Sequence, residues 1–408
     1  MFLIILMVAL LGPFFPLQAQ LIPLWSSSPA DASANSPYVR DPDLSPDKGV
    51  PLFNAPDTTY QAGTANVILK NGDLQLQFLY NYDWENMASA LHGPSETLYL
   101  FINESKELFR ITTDGHVRLL RTFGQEEMDR IIEGNGQHFR MNVGESGRFL
   151  YMWPEMLGNV TRLDLESLEL QVISNTRVRS FAAGHASLLT GENRIHAFGG
   201  YGLWTNWNKL LFFDATTTGW EEIIARNEGP THFMYAEISF IHDQEQNRFL
   251  ALTIANDTKP PSEGYLISEN EFDIATRTWK EPDVFWIPDS LGHLPAFNFQ
   301  SSRMNGNFTG DQYDPETGWI AFDYQLFYDS KNRQFQVVDT AIAQGRLLTH
   351  EERTLYGIHF APVSRRWMFI SRLKNNDLTN IVIHGLDMSK TVPYGRRVTQ
   401  AELLAKSL

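Results

Sequence analysis

The stretch Ile195-His196-Ala197-Phe198-Gly199-Gly200-Tyr201-Gly202 resumes at Leu211-Phe212-Phe213-Asp214 and ends on Gly219-Trp220. It reads as a strand, a glycine pair, a second strand ending in an aromatic-Asp step, and a tryptophan seven residues after the phenylalanine. The end of this pattern returns as Phe272-Asp273 with Trp279. Weaker copies stand at Leu163-Asp164, Tyr328-Asp329 and Leu386-Asp387, and a degenerate one at Phe109-Arg110. From Phe109 to Leu386 the successive spacings are 54, 50, 59, 56 and 58 residues. A steady period of this size marks a repeat architecture, in which each unit buries its apolar surface only against its neighbours.

Each unit opens with an apolar strand and a polar turn. The turns are His92-Gly93-Pro94-Ser95, Gly144-Glu145-Ser146-Gly147, Thr190-Gly191-Glu192-Asn193, His242-Asp243-Gln244-Glu245, Asp314-Pro315-Glu316-Thr317 and Pro362-Val363-Ser364-Arg365. A second apolar strand follows each turn, then the strand with the hydrophobe-Asp step, then a fourth. Short strands at even spacing, four to a unit and six units long, predict an all-β, six-bladed β-propeller with four-stranded blades. Ahead of the first unit, Val67–Lys70 and Leu74–Phe78 flank an Asn71-Gly72 hairpin turn. The sixth unit has Pro393 where its fourth-strand aromatic belongs. The N-terminal hairpin is therefore expected to lend that blade a strand, which removes exposed edges; a seventh blade built on the hairpin is the alternative.

With Gly199, Gly200, Phe213, Asp214 and Trp220 in order and spacing, the third unit resembles a kelch repeat. The resemblance is to kelch-like propellers, the galactose oxidase blade type. It is specific for that blade; the fourth unit keeps Phe272, Asp273 and Trp279 without the glycine pair, and the others keep spacing alone. Glycines suit close packing of the second strand, and the tryptophans suit filling space between sheets. These eight residues are assigned to blade structure.

The chain has a net charge of -15 and no Lys/Arg-rich segment, which argues against nucleic acid as a partner. It has no cysteine, so disulfides, thiolate metal sites and cysteine nucleophiles are excluded. The crosslinked cysteine of the copper radical oxidases that share kelch blades likewise has no counterpart. Residues 1–20 hold an apolar run, Phe2 to Leu11, broken by Gly12, Pro13 and Pro16. This resembles a signal peptide without its basic start and predicts a secreted or periplasmic protein. Retention of residues 1–20 as a membrane anchor is the alternative, although the prolines shorten the apolar run. Residues 21–62, rich in Ser, Pro, Ala and Asp, read as a flexible linker, residues 63–395 as the propeller and residues 396–408 as a tail. The alternating Asp41, Asp43, Ser45, Asp47 and Gly49 lack the bidentate Glu of a calcium loop and read as solvated linker.

Extra length gathers between second and third strands and between one unit and the next. In a propeller these connections share one face, and loops on a rigid scaffold commonly carry binding. The expected ligand surface has aromatic platforms at Trp153, Trp204 and Trp207, with Tyr201 opening the third unit's insertion and His138, Arg140, His185 and Tyr235 at the channel mouth. Burial over their own blade is the competing role for Trp204 and Trp207. No G-x-S-x-G, H-E-x-x-H or P-loop pattern occurs, so no catalytic residue, metal or cofactor is assigned. The expected function is binding of a protein or glycan partner through this face. The alternative is a carbohydrate-active enzyme at the channel mouth, of the kind the resemblance to sialate mutarotases implies.

Overall fold

Strand Thr97–Ile102 is buried at all six positions. That is impossible for a sheet with one wet face and natural for a blade wedged between two others. Its even residues Leu98, Leu100 and Ile102 join one apolar cluster, and its odd residues Tyr99 and Phe101 join another. Period-two alternation thus feeds two different seams.

A computed structural model of the chain describes residues 52–78, 87–131, 139–154, 159–174, 186–198, 201–202, 205–206, 209–229, 237–254, 264–288, 313–321, 326–338, 353–375, 378–386, 391–399 and 402. All lie in one compact unit, Asp43–Leu408. They form six blades of four antiparallel strands. From the axis outward, blade one is Met87–His92, Thr97–Ile102, Glu107–Ile111 and Val117–Thr122. Blade two is Phe139–Val143, Phe149–Pro154, Val160–Asp164 and Leu170–Ser174. Blade three is Ala186–Thr190, Arg194–Phe198, Leu210–Asp214 and Gly219–Ile223. Blade four is Glu237–Asp243, Arg248–Ile254, Gly264–Asp273 and a broken outer strand, Thr278–Trp279 and Asp283–Pro288. Blade five is Tyr313–Asp314, Trp319–Ala321, Leu326–Asp329 and Gln334–Val338. Blade six is Arg353–Ala361, Arg366–Asn375 and Leu378–Leu386, completed from the N-terminus by Asp73–Phe78. A short helix, α1 (Gln125–Ile131), follows blade one and packs Met128 and Ile131 into the seam with blade two.

Six apolar clusters sit at the six seams, one for each pair of neighbours, and the sixth joins blade six to blade one. The ring therefore closes with six blades, and the seven-bladed alternative is set aside. Closure runs through the N-terminal hairpin, as its Asn71-Gly72 turn leads one to expect. Both turn residues have positive φ, 52° and 80°, which matches the strand twist. Leu74, Leu76 and Phe78 are fully buried, and Leu76 stands opposite Ile381 on the third strand of blade six. Two further strands, Ala65–Lys70 and Thr58–Ala62, extend this blade outward. The latter lies wholly inside the stretch read as linker. At the other end, Thr391–Pro393 joins the outer edge of blade five and Arg396–Val398 that of blade four. Three residues of the stretch read as tail are thus part of a sheet.

The repeated Asp proves to be a turn lock. Asp214 accepts the Thr216 N–H at 2.8 Å and its hydroxyl at 2.6 Å, while its second oxygen takes the Arg194 guanidinium at 3.2 Å. Asp164 does the same with the Glu166 and Ser167 N–H groups and Arg148. Four residues after each such Asp the chain turns through a left-handed residue: Leu168, Thr218, Arg277 and Arg333 have φ between 50° and 60°. A four-residue loop places the seventh residue opposite the aromatic. Phe213 therefore meets Trp220 at 5.4 Å, Phe272 meets Trp279 at 5.0 Å, and Tyr328 meets Phe335 at 4.8 Å. Trp279 also packs 5.0 Å from Phe198 of blade three, filling the seam between blades.

Candidate functional site

One face of the ring is built from the turns between first and second and between third and fourth strands. On it, neighbouring turns bind each other. The Ser364 N–H donates to Glu96 at 2.6 Å, His92 bonds the Glu145 carbonyl at 3.0 Å, and Ser146 donates to Glu192 through its N–H at 2.8 Å and its hydroxyl at 2.7 Å. Arg365 reaches back to Asp314 at 2.8 Å. The Asp164 and Asp214 carboxyls are held below the usual carboxylate range, Asp164 first by backbone N–H groups and Asp214 first by the Thr216 hydroxyl. Their oxygens are occupied by the turns they close. This face spends its polar groups on itself.

The opposite face carries the connections expected to bind. His138, His185, Gly199, Gly200, Trp204, Trp207 and Tyr235 lie outside the described residues. Tyr201 opens a two-residue strand, Tyr201–Gly202, paired with Thr205–Asn206. A small hairpin thus stands between the second and third strands of blade three. Arg140 and Trp153 are placed, and both are buried. They stand opposite each other on the first two strands of blade two. Trp153 has no exposed surface and donates its indole N–H to Ser187 Oγ of blade three at 3.0 Å. An indole enclosed on both faces offers no platform, so the role expected of Trp153 is corrected to packing of the seam between blades two and three.

Around the axis the inner strands carry buried polar side chains that tie neighbouring blades. Ser89 Oγ bonds His359 Nε2 at 2.8 Å across blades one and six, and Asn142 Oδ1 accepts the Leu189 N–H at 3.1 Å. A serine against a histidine has the look of a nucleophile and its base. Here the serine is 2% exposed and the histidine 1%, so substrate reaches neither, and the pair acts as a tie. Sequence reading missed this ring of small polar residues. Ser89 and Ser187 interrupt apolar runs at residues 87–91 and 186–189, and that interruption was the available signal.

Among the described residues, the densest group of charges lies between blades four and five. Arg248, 4% exposed, donates to Asp243 at 3.0 Å and Glu271 at 2.9 Å. Arg333 of blade five holds Glu271 at 3.3 Å and Asp283 at 2.6 Å. Deeper in the seam the Tyr328 hydroxyl donates to Glu269 Oε2, while Glu269 Oε1 is buried without a hydrogen-bond partner. Burial raises the Glu269 pKa against the lowering effects of the Tyr328 hydroxyl and of Arg333 and Arg248. A raised acid pKa makes the folded state bind a proton more tightly than the unfolded one. Stability is then greatest below the unfolded value and is lost as pH rises through the folded one. Glu269→Gln removes that loss, so its stability relative to the parent should grow as pH rises above the ordinary glutamate value of 4.5 in urea titrations. A constant difference would mean that Glu269 is ionised throughout. Strongly shifted groups also occur at catalytic sites. This cluster lies inside a packed seam, which fits a structural role.

Among the described residues no group of three or more His, Asp or Glu side chains is arranged to hold a metal ion, and no helix is long and apolar enough to cross a membrane. No protein-family model matches the chain, and no curated protein matches it in sequence. Among solved structures, the crystal structure of a nidogen/laminin complex aligns with 55% of this chain and 91% of that chain, at 8% identity and a TM-score of 0.30. At that score the likeness carries no argument about function.

Proposed function

We propose that the chain is an exported, kelch-like propeller that binds a protein or glycan partner through the face formed by its second-to-third-strand and blade-to-blade connections. The observation that carries this reading is the inequality of the two faces. Turns on one face are mostly of four residues and are bonded to themselves and their neighbours. Connections to the other include residues 175–185, 255–263, 289–312 and 339–352 between successive strands. A rigid ring bearing long connections on one side is the usual scaffold for recognition. The apolar run at residues 2–11 and the absence of cysteine support export without disulfides.

Trp204 and Trp207, in the connection that carries the small hairpin of blade three, are the residues to test. Partners captured by the intact chain from glycan arrays and from mixtures of extracellular proteins supply the assay. Trp204→Ala and Trp207→Ala should each weaken capture tenfold or more, since large aromatics dominate interface energetics. Their melting temperatures should match the parent. A large fall in melting temperature would assign these indoles to packing, and unchanged capture would move the site elsewhere.

A further inference from the structure

The two ends of the chain meet the ring in different ways. The N-terminal hairpin is core, with Leu74, Leu76 and Phe78 fully buried. The C-terminal segment, Thr391-Val392-Pro393-Tyr394-Gly395-Arg396-Arg397-Val398, lies on the outside. Val392, Pro393, Arg396 and Arg397 are exposed. It pairs three residues with the outer strand of blade five, Val337 opposite Val392, and three with that of blade four, Phe285 opposite Arg397. It thereby bridges the rim across the seam that holds Glu269.

Its contacts have the form of ligand recognition. Between the two short pairings, the Tyr394 N–H donates to the Phe335 carbonyl at 2.8 Å, and the Tyr394 hydroxyl reaches the Pro288 carbonyl at 2.6 Å. Gly395 has φ 73°, and a Cβ there would lie 2.5 Å from the Trp286 carbonyl oxygen and 2.6 Å from Ile287 Cδ1. Only glycine fits. The Arg396 guanidinium lies over the Trp286 ring at 5.9 Å, Arg397 pairs with Asp283, and Val398 is the one buried anchor. The fit is incomplete, because the Trp286 indole N–H is enclosed with no acceptor. The rim reads a tyrosine, an obligatory glycine and two arginines with main-chain pairing on either side, which is the logic of strand addition to a sheet edge.

We propose that the outer edges of blades four and five form a strand-acceptor site for extended peptides of the Tyr-Gly-Arg-Arg type, occupied in this chain by its own residues 391–398. The site lies on the rim, apart from the loop face of the proposed function, and does not depend on it. Removal of the cis segment opens it to a segment of another protein with the same chemistry, and one offering an acceptor to Trp286 binds more tightly.

The test keeps every residue of the chain. A protease site inserted between Ser389 and Lys390 allows the segment to be cut from the ring without being discarded. The cut protein is then mixed with a fluorescent synthetic peptide spanning Thr391–Thr399. Expected are a folded cut protein, saturable binding of the peptide with release of the native segment, and no binding to uncut protein. The same peptide with Gly395→Val should bind at least tenfold more weakly. Asp283→Asn in the cut protein should weaken binding several-fold, with a reduced dependence on salt. Unfolding on cleavage, failure to exchange, equal binding of the valine peptide, or equal binding to uncut protein would each overturn the proposal.

Discussion

Leu76→Asp should leave the ring unable to close, with loss of the near-ultraviolet circular dichroism signal and of a cooperative urea transition. Leu76 has no exposed surface. It lies between Val67 and Ile381 in a sheet whose inner face is the apolar seam of blades six and one. Leu→Ala at such sites costs about 2–5 kcal/mol. An ionised carboxylate adds an unpaired charge in a dry interior, which costs more still. Domains of ordinary stability hold about 5–15 kcal/mol, so the alanine variant should fold weakly and the aspartate variant should not close. Asn66→Asp, on the exposed side of the same hairpin, should change stability by less than about 0.5 kcal/mol. A wild-type transition in Leu76→Asp would show that the hairpin is dispensable.

The second large effect is a loss of stability on mild acidification. His196 and His242 flank the ring of Phe249 at 4.8 and 5.0 Å, in the seam of blades three and four. Burial, reinforced by the neighbouring His242, holds the His196 pKa down to about 3. Burial also lowers that of His242, against the opposing charge of Asp243. A base with a depressed folded pKa is protonated first in the unfolded chain. Its contribution is complete above pH 6.5 and is lost as pH falls from there toward 3. One unit of that interval is worth about 1.4 kcal/mol, so roughly 2 kcal/mol should go between pH 6.5 and 5, above the range where the turn aspartates titrate. Glu269 acts in the opposite sense, so the effect is best isolated by comparison. His196→Leu should lose less stability than the parent between pH 7 and 5, measured in urea, and parallel losses would rule out the half-buried His196 imidazole as their source.

Much of the architecture was legible because the repeat is a local device. The Phe-Asp step, the four-residue turn and the residue seven places on are consecutive in the chain, so spacing alone reveals them. Phe335 and Leu170 fill the tryptophan position in blades five and two. Neither is a tryptophan, so the motif alone does not mark them. The hairpin's place was legible for another reason. Pro393 leaves the sixth unit short of a strand, and Asn71-Gly72 marks a spare one. What could not be read is pairing between distant segments. Nothing near Arg396 announces that it lies against Trp286, and nothing near Trp153 shows that Ser187 of another blade accepts its indole hydrogen. The loop face was inferred from connection length, a sound guide to location. Length gives no account of which side chains turn inward, and Trp153 turned inward.

Joining the ring through residues 73–78 and 378–386 also sets an order of events in biosynthesis. The hydrogen bond from Gln75 to Asn380 links positions 305 residues apart. The free edge of strand Asp73–Phe78 must therefore wait until nearly all of the polypeptide has been made before its partner strand exists. For that whole interval the nascent protein presents an unmatched, sticky edge.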